Sequence, residues 1–262
     1  MPQKAHSRIH LDGLRLEREF RQLDKSLKRL VKETEKDAKE VLISQARLFC
    51  VDLVHVTQPW GRGKKAQRSG QGAVSRDVGQ VYLTESEIYS MIEQHSIEQA
   101  KAFYYHVKNG EFDKADKIAR TVNIDIHGFD GGVKHQRSRN SRGRVSPGNR
   151  GKFAPKNSVD KYTKEIKKRV GFAKSGWADC AAQLGGTRGI PAWIKNQKGS
   201  MGEVKKNFNG KSLEIVIINK VKYIGKLVDN YHIKRAAQSR IRAIERLVKK
   251  VIEINAKNSL GK

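Results

Sequence analysis

Four things are scarce in this chain, and each scarcity removes a class of protein. Long apolar runs are missing: the longest, Ile215-Val216-Ile217-Ile218, has four residues, whereas a bilayer-spanning helix needs about 20. Cysteine is nearly absent, with Cys50 and Cys180 lying 130 positions apart. Two cysteines cannot build a disulfide framework, and no CxxC-like cluster offers a structural zinc site. They are expected as buried thiols of a protein made in a cytoplasm. An apolar leader is missing too: Met1 to Gly13 is polar, so export is not expected. Acidic residues are outnumbered two to one, 27 against 54 Lys and Arg, which leaves a formal charge of +27 and a pI near 10.2. A hydrophobic content of 37% is low for a globular chain, yet its periodicity is too regular for a wholly disordered one. The balance is a globular chain drawn to something acidic.

What is present begins with an amphipathic helix. Leu16, Phe20, Leu23, Leu27, Leu30, Thr34, Ala38, Val41, Ala46, Phe49, Leu53 and Val56 recur at spacings of mostly three or four, one helical stripe. Asp12 can cap its start, and Gln58-Pro59 ends it. Forty-odd residues would span about 65 Å, too long for a small core to cover. Either a neighbouring copy covers the stripe, or the helix breaks near Glu33 to Lys36.

From Trp60 to Val81 glycines interleave with Arg62, Lys64, Lys65, Arg68 and Arg76, which reads as an exposed basic loop over 60–81. The capping box Thr84-Glu85-Ser86-Glu87 opens a second helix through Ile88, Ile92, His95 and Phe103 to Asn109-Gly110. A short third helix follows from Phe112 to Arg120. Further on, Ser158 is a plausible cap for helical patterning through Trp177 and Leu184, with a stop at Gly185-Gly186. Glu203 to Asn219, with Asn209-Gly210 at its centre, predicts a β-hairpin. Asn230 to Ala256 predicts a basic amphipathic helix. The expected fold is α+β: a long N-terminal and a C-terminal helix packed on a small antiparallel sheet, with an extended basic arm. The expected division is a helical part over 1–122, an arm over 123–157, and an α+β part over 158–262 that holds the hairpin 203–219.

The arm draws most of the functional attention. From Lys134 to Arg169, 13 Lys or Arg face Asp160 and Glu165, a local +11. Up to Asn157 it has few large apolar residues beyond Val133, Val145 and Phe153, so it is expected to be extended or disordered alone. Arg137, Arg139, Arg142, Arg144, Arg150 and Lys152 are the candidate contacts. Arginine's fork suits phosphate, as in a ribosome- or nucleoid-associated nucleic-acid binder with steep salt dependence. Acidic protein neighbours, or solvent alone, are the other two outlets for this charge. With only Phe153 to stack, single-strand readout is disfavoured. The terminal helix has a basic face of its own: Lys234, Arg235, Arg240, Arg242, Arg246, Lys249 and Lys250. Its apolar face suits core packing more simply than a membrane surface.

Catalytic signals are weak. Gly61-Arg62-Gly63-Lys64-Lys65 lacks the spacing of a phosphate loop. Asp125, His127 and Asp130 could approach a divalent metal, as in a nuclease, but lack the second half of any known spacing. No catalytic residue, metal or cofactor is assigned, and the chain is expected not to be an enzyme.

The order of elements resembles a known family. A long first helix runs into Thr57-Gln58-Pro59-Trp60-Gly61; a Trp-bearing segment, Lys174-Ser175-Gly176-Trp177, comes later; a strand ends at Asn219-Lys220-Val221-Lys222-Tyr223, before a terminal helix. This is similar to the head–tail joining proteins of tailed bacteriophages, also called neck, tail-completion or minor tail proteins. That family has a Pro-x-x-Thr-Gly step, where this chain has Pro59-Trp60-Gly61, and an Asn-x-x-x-Tyr step, met by Asn219 and Tyr223. The resemblance implies structural roles for Pro59, Gly61, Trp177, Asn219 and Tyr223. It also implies an α+β protomer in a homo-oligomeric ring, commonly sixfold, within the neck of a virion assembled in the host cytoplasm. Its partners would be the portal or adaptor, the tail terminator or tail tube, and packaged DNA in the channel, with no membrane. Ring contacts would then bury the first helix's stripe.

Overall fold

In the computed structural model, the structure describes residues 6–11, 17–126, 130–139, 145, 151–197, 199–208 and 212–260. In chain order the elements are β1 His6–Leu11, α1 Glu17–Thr34, α2 Ala38–Val56, α3 Lys64–Gly79, β2 Tyr82–Leu83, α4 Glu85–Glu93, α5 Ile97–Lys108 and α6 Phe112–Ala119. A 3-10 turn at Arg120–Val122 leads to β3 Ile124–Asp125, α7 Val133–Arg137, β4 Gly151–Phe153, α8 Lys156–Lys168, α9 Phe172–Gln183 and α10 Ala192–Lys195. The chain ends with β5 Gly202–Asn207, β6 Ser212–Asn219, α11 Ile224–Leu227 and α12 Asn230–Leu260. The fold is α+β. No described helix is long and apolar enough to cross a membrane.

Two compact units account for these elements: residues 1–67 with 171–262, and residues 68–170. They cut across the expected segments 1–122, 123–157 and 158–262. One boundary falls inside α3, and the expected arm is shared out within the second unit.

The first unit is built on the long stripe, which breaks where the sequence allowed. Glu35 takes a left-handed φ of 54°, and Asp37 caps the next helix by accepting from the Lys39 and Glu40 amides at 2.8 and 3.2 Å. Both halves are covered from within. Leu23, Leu27 and Leu30 of α1 and Phe49, Leu53 and Val54 of α2 are buried, in one apolar cluster with Trp177, Ile215, Ile241, Ile244 and Val248. Of the two alternatives that the stripe's length left open, the break is the one found, and most of the described stripe is covered from within the chain. The sheet also departs from the expected one. β5 and β6 form the antiparallel hairpin, but β1 adds to β6 in parallel, Ile9 opposite Ile215, so the sheet is mixed. β1 escaped the sequence reading because its six residues hold only two apolar ones, Ile9 and Leu11, too short an alternation to stand out. The Asn209-Gly210 turn, Asp12, Leu16 and His127 lie outside the described residues. Cys50 and Cys180 are free and buried, and burial, with Cys180 close by, pushes the Cys50 thiol well up.

The second unit replaces the expected basic loop with α3. Gly70 and Gly72 each cost about 1 kcal/mol in a helix, but Val74 and Val78 share a face that packs with Val81, Tyr82, Val145 and Ala154. Burial overrides propensity there. The capping box holds, with the Thr84 amide donating to Glu87 Oε2 at 2.7 Å. The helix that follows is interrupted at Gln94 to Ser96, and Ser96 Oγ caps α5 by accepting from the Gln99 amide. Ile88, Ile92, Phe103, Ala115, Ile124, Ile126 and Phe153 form the other cluster. β4 is the middle strand of an all-parallel sheet ordered β2–β4–β3.

Candidate functional site

The family-like residues converge in the first unit. α2 ends at Val56, and Thr57, fully buried, turns its hydroxyl back onto the Leu53 carbonyl at 2.7 Å. That hydroxyl accepts the Trp177 indole N–H at 3.0 Å. Past Pro59 the backbone reverses at Gly61, whose φ of 86° suits glycine. The Gly61 carbonyl and the Val54 carbonyl each accept from Lys174 Nζ at 2.6 Å. The Lys174 side chain is wholly buried, with the Trp193 ring 5.9 Å from its ammonium nitrogen. Trp193 in turn donates to the Arg62 carbonyl at 3.0 Å, and Arg62 donates to Gly189 O.

The sheet is tied to the same helix. Asn219 Nδ2 donates to the Ala173 carbonyl at 2.9 Å, while its Oδ1 accepts the Val221 amide. Contact is close enough that a Cβ on Gly176 would lie 2.4 Å from Asn219 Oδ1, and one on Gly202 would lie 2.2 Å from the Gly176 carbonyl oxygen. Three expected structural residues, Gly61, Trp177 and Asn219, thus belong to one node joining the α2 end, α9 and β6, and Pro59 lies two residues before Gly61 in the loop that enters it. Tyr223 caps the start of α11 and is 43% exposed.

Charge in the node is handled by carbonyls more than by carboxylates. Burial pushes the Lys174 amine down to about 7, and the carbonyl at the α2 C-terminus favours whatever positive charge remains. Burial also lowers His55, helped by Arg62 and Lys174. Asp52 is raised by burial against the pull of Arg240, whose Nε donates to Asp52 Oδ2 at 2.9 Å and whose Nη1 donates to buried Gln45.

The arm residues are placed differently from the expectation of an extended tail. Arg139 donates to Asp77 at 3.1 Å and to His135 Nε2 at 2.9 Å. With Nε2 accepting, Nδ1 carries the proton and donates to Tyr162 Oη at 3.0 Å. Lys152 stands 3.4 Å from Asp130, which also accepts from the Tyr82 hydroxyl and the amides of Gly132 and Lys134. His135, Ser138, Val145, Phe153 and Ala154 are buried. The described part of the arm is therefore folded, because a few apolar side chains and a nearly complete polar network substitute for a large core. Arg137 is exposed; Arg142, Arg144 and Arg150 lie outside the described residues. Asp130 is engaged in its own turn, and among the described residues no group of three His, Cys, Asp or Glu could hold a metal ion.

Sequence reasoning missed Lys174 as the centre of the node. An Lys in the run Ala173-Lys174-Ser175-Gly176 reads as a solvated position, and only the small residues around it hint at burial on every side. It also grouped Arg240 with the exposed basic face of the last helix, whereas Arg240 turns inward. Comparison with protein-family models, with curated proteins and with solved structures found no match.

Proposed function

We propose that this chain is a structural protein of a tailed-bacteriophage virion, forming a homo-oligomeric ring in the neck that joins the portal or adaptor to the tail. One observation supports the proposal: the separated motifs behind the resemblance meet in a single node through Lys174, Trp177 and Asn219. A node of this kind fixes geometry and performs no chemistry, which suits a protomer that must present one rigid surface to identical neighbours.

A ring also needs surface to bury. The described part of α12 beyond Val248 has no buried residue; Ile252 and Ile254 are exposed there, as is Leu247 just before it. In a ring this projecting end would pack on the next copy. The test is the mass of the purified chain in low and high salt, with and without DNA. A discrete oligomer that persists without nucleic acid is the expected result. A monomer that changes mass only with DNA would overturn the ring in favour of a nucleic-acid-binding protein.

A further inference from the structure

The exposed face of α12 shapes a groove of about 1180 Å³, whose other wall comes from Asp52, His55 and Val56 of α2. Its floor repeats along the helix: Tyr231, Arg235, Gln238, Arg242, Glu245, Arg246 and Lys249 fall at spacings of one, three or four, so they share one side. Arg235 to Lys249 spans about 21 Å at the helical rise.

The cations in this groove differ from those of the arm. Among the described residues, no carboxylate lies within ion-pair distance of Arg235, Arg242 or Arg246. Arg246 is steadied instead by donating to the Arg242 carbonyl at 3.3 Å. Lys249 has only a loose contact, 4.0 Å from Glu253. The acid on the wall, Asp52, is already matched by Arg240, and Lys234 is matched by Glu19. Glu245 is the remaining opposing charge. Tyr231, 64% exposed, stands at one end, next to His232, which stacks on half-exposed Trp60 at 4.6 Å.

We infer that this groove takes the sugar–phosphate backbone of a nucleic acid, with Arg235, Arg242, Arg246 and Lys249 pairing successive phosphates. Guanidinium groups dominate the row, and their fork matches phosphate oxygens better than a lysine row would. A row of cations addresses phosphates, which are the same in every sequence, so binding is independent of sequence. The site is separate from the arm residues and stands whether or not the chain forms a ring.

Four phosphate contacts set the expected salt dependence: log K falling against log salt with a slope of about −3.6 on duplex DNA. Fluorescence anisotropy with a labelled 20-base-pair duplex measures this on the full chain. Replacing Arg235, Arg242 and Arg246 together by Gln should flatten the slope by about 2.7 and weaken binding at least tenfold at 0.1 M salt. The same three positions changed to Lys should keep most of the slope, which separates lost charge from a lost fold. Lys117, Lys161 and Lys164 changed together to Gln remove the same charge from the other unit and should leave binding nearly unchanged. Glu245→Gln should tighten binding, an effect that a purely structural residue would not give. Unchanged binding by the triple Arg variant, or an equal loss in the Lys117, Lys161 and Lys164 variant, overturns the inference. So does a polyglutamate peptide of equal charge binding as tightly as the duplex, which would assign the groove to an acidic protein.

Discussion

The two units solve the same problem with different materials. In residues 1–67 and 171–262, one apolar cluster joins helices and sheet, and the charges inside it are few: Lys174 on two carbonyls and Arg240 on Asp52 and Gln45. In residues 68–170 the apolar residues form two smaller clusters, and a polar network of Asp77, Arg139, His135 and Tyr162, with Tyr82, Asp130 and Lys152, holds the segment between them in sequence. The difference teaches that a count of positive charges does not report how many are available. The arm is dense in cations yet spends Arg139 and Lys152 internally, while on α12 Arg235, Arg242 and Arg246 have no described carboxylate partner.

That contrast breaks most sharply at Gly202. A side chain there meets backbone of α9, which cannot step aside, so Gly202→Val should cost about 4 kcal/mol or more. Hydrogen exchange should show the loss in 1–67 and 171–262, with protection retained in 68–170; equal loss in both would erase the distinction. Next comes Lys174→Met, which leaves the Val54 and Gly61 carbonyls without their donor. About 3 kcal/mol should be lost by chemical denaturation, and a neutral result would show that the node is held by packing alone. Tyr82→Phe removes one donor to Asp130 and should cost about 1–2 kcal/mol, confined to residues 68–170.

The smallest effect is a pH dependence. Burial, and then the Arg139 charge, lower His135 from its ordinary 6.5. Below that pH the unfolded chain takes up a proton that the folded chain resists. The stability contributed is therefore complete above pH 6.5 and is lost as the pH falls toward the lowered folded value. Denaturation midpoints between pH 7.5 and 5, compared with those of His135→Gln, isolate this term from His55. Identical pH profiles for the two proteins would exclude it.

Much of the first unit was legible in the sequence. The stripe from Phe20 to Val56, its break, the hairpin and the terminal helix all rest on local periodicity, and local periodicity survives folding. α3 and the arm were not legible, for a common reason. Gly70 and Gly72 argue against a helix, and Gly151 to Ala154 looks too poor in apolar residues for a core strand, until distant partners are supplied. The node shows the same limit more finely. Its short motifs were visible, but the amine that joins them sits more than a hundred residues from the carbonyls it serves.

The insertion of residues 68–170 into the first unit has a consequence for synthesis. β1 must wait for β6, and the apolar side of α1 must wait for α12, across some two hundred residues of chain. Residues 68–170 need no later segment to close their own clusters. On the ribosome the inserted unit can finish first, while the two opening helices stay exposed until the end returns, and that interval, about 10–40 seconds at the usual rate of synthesis, is when the chain is most open to aggregation or to a chaperone.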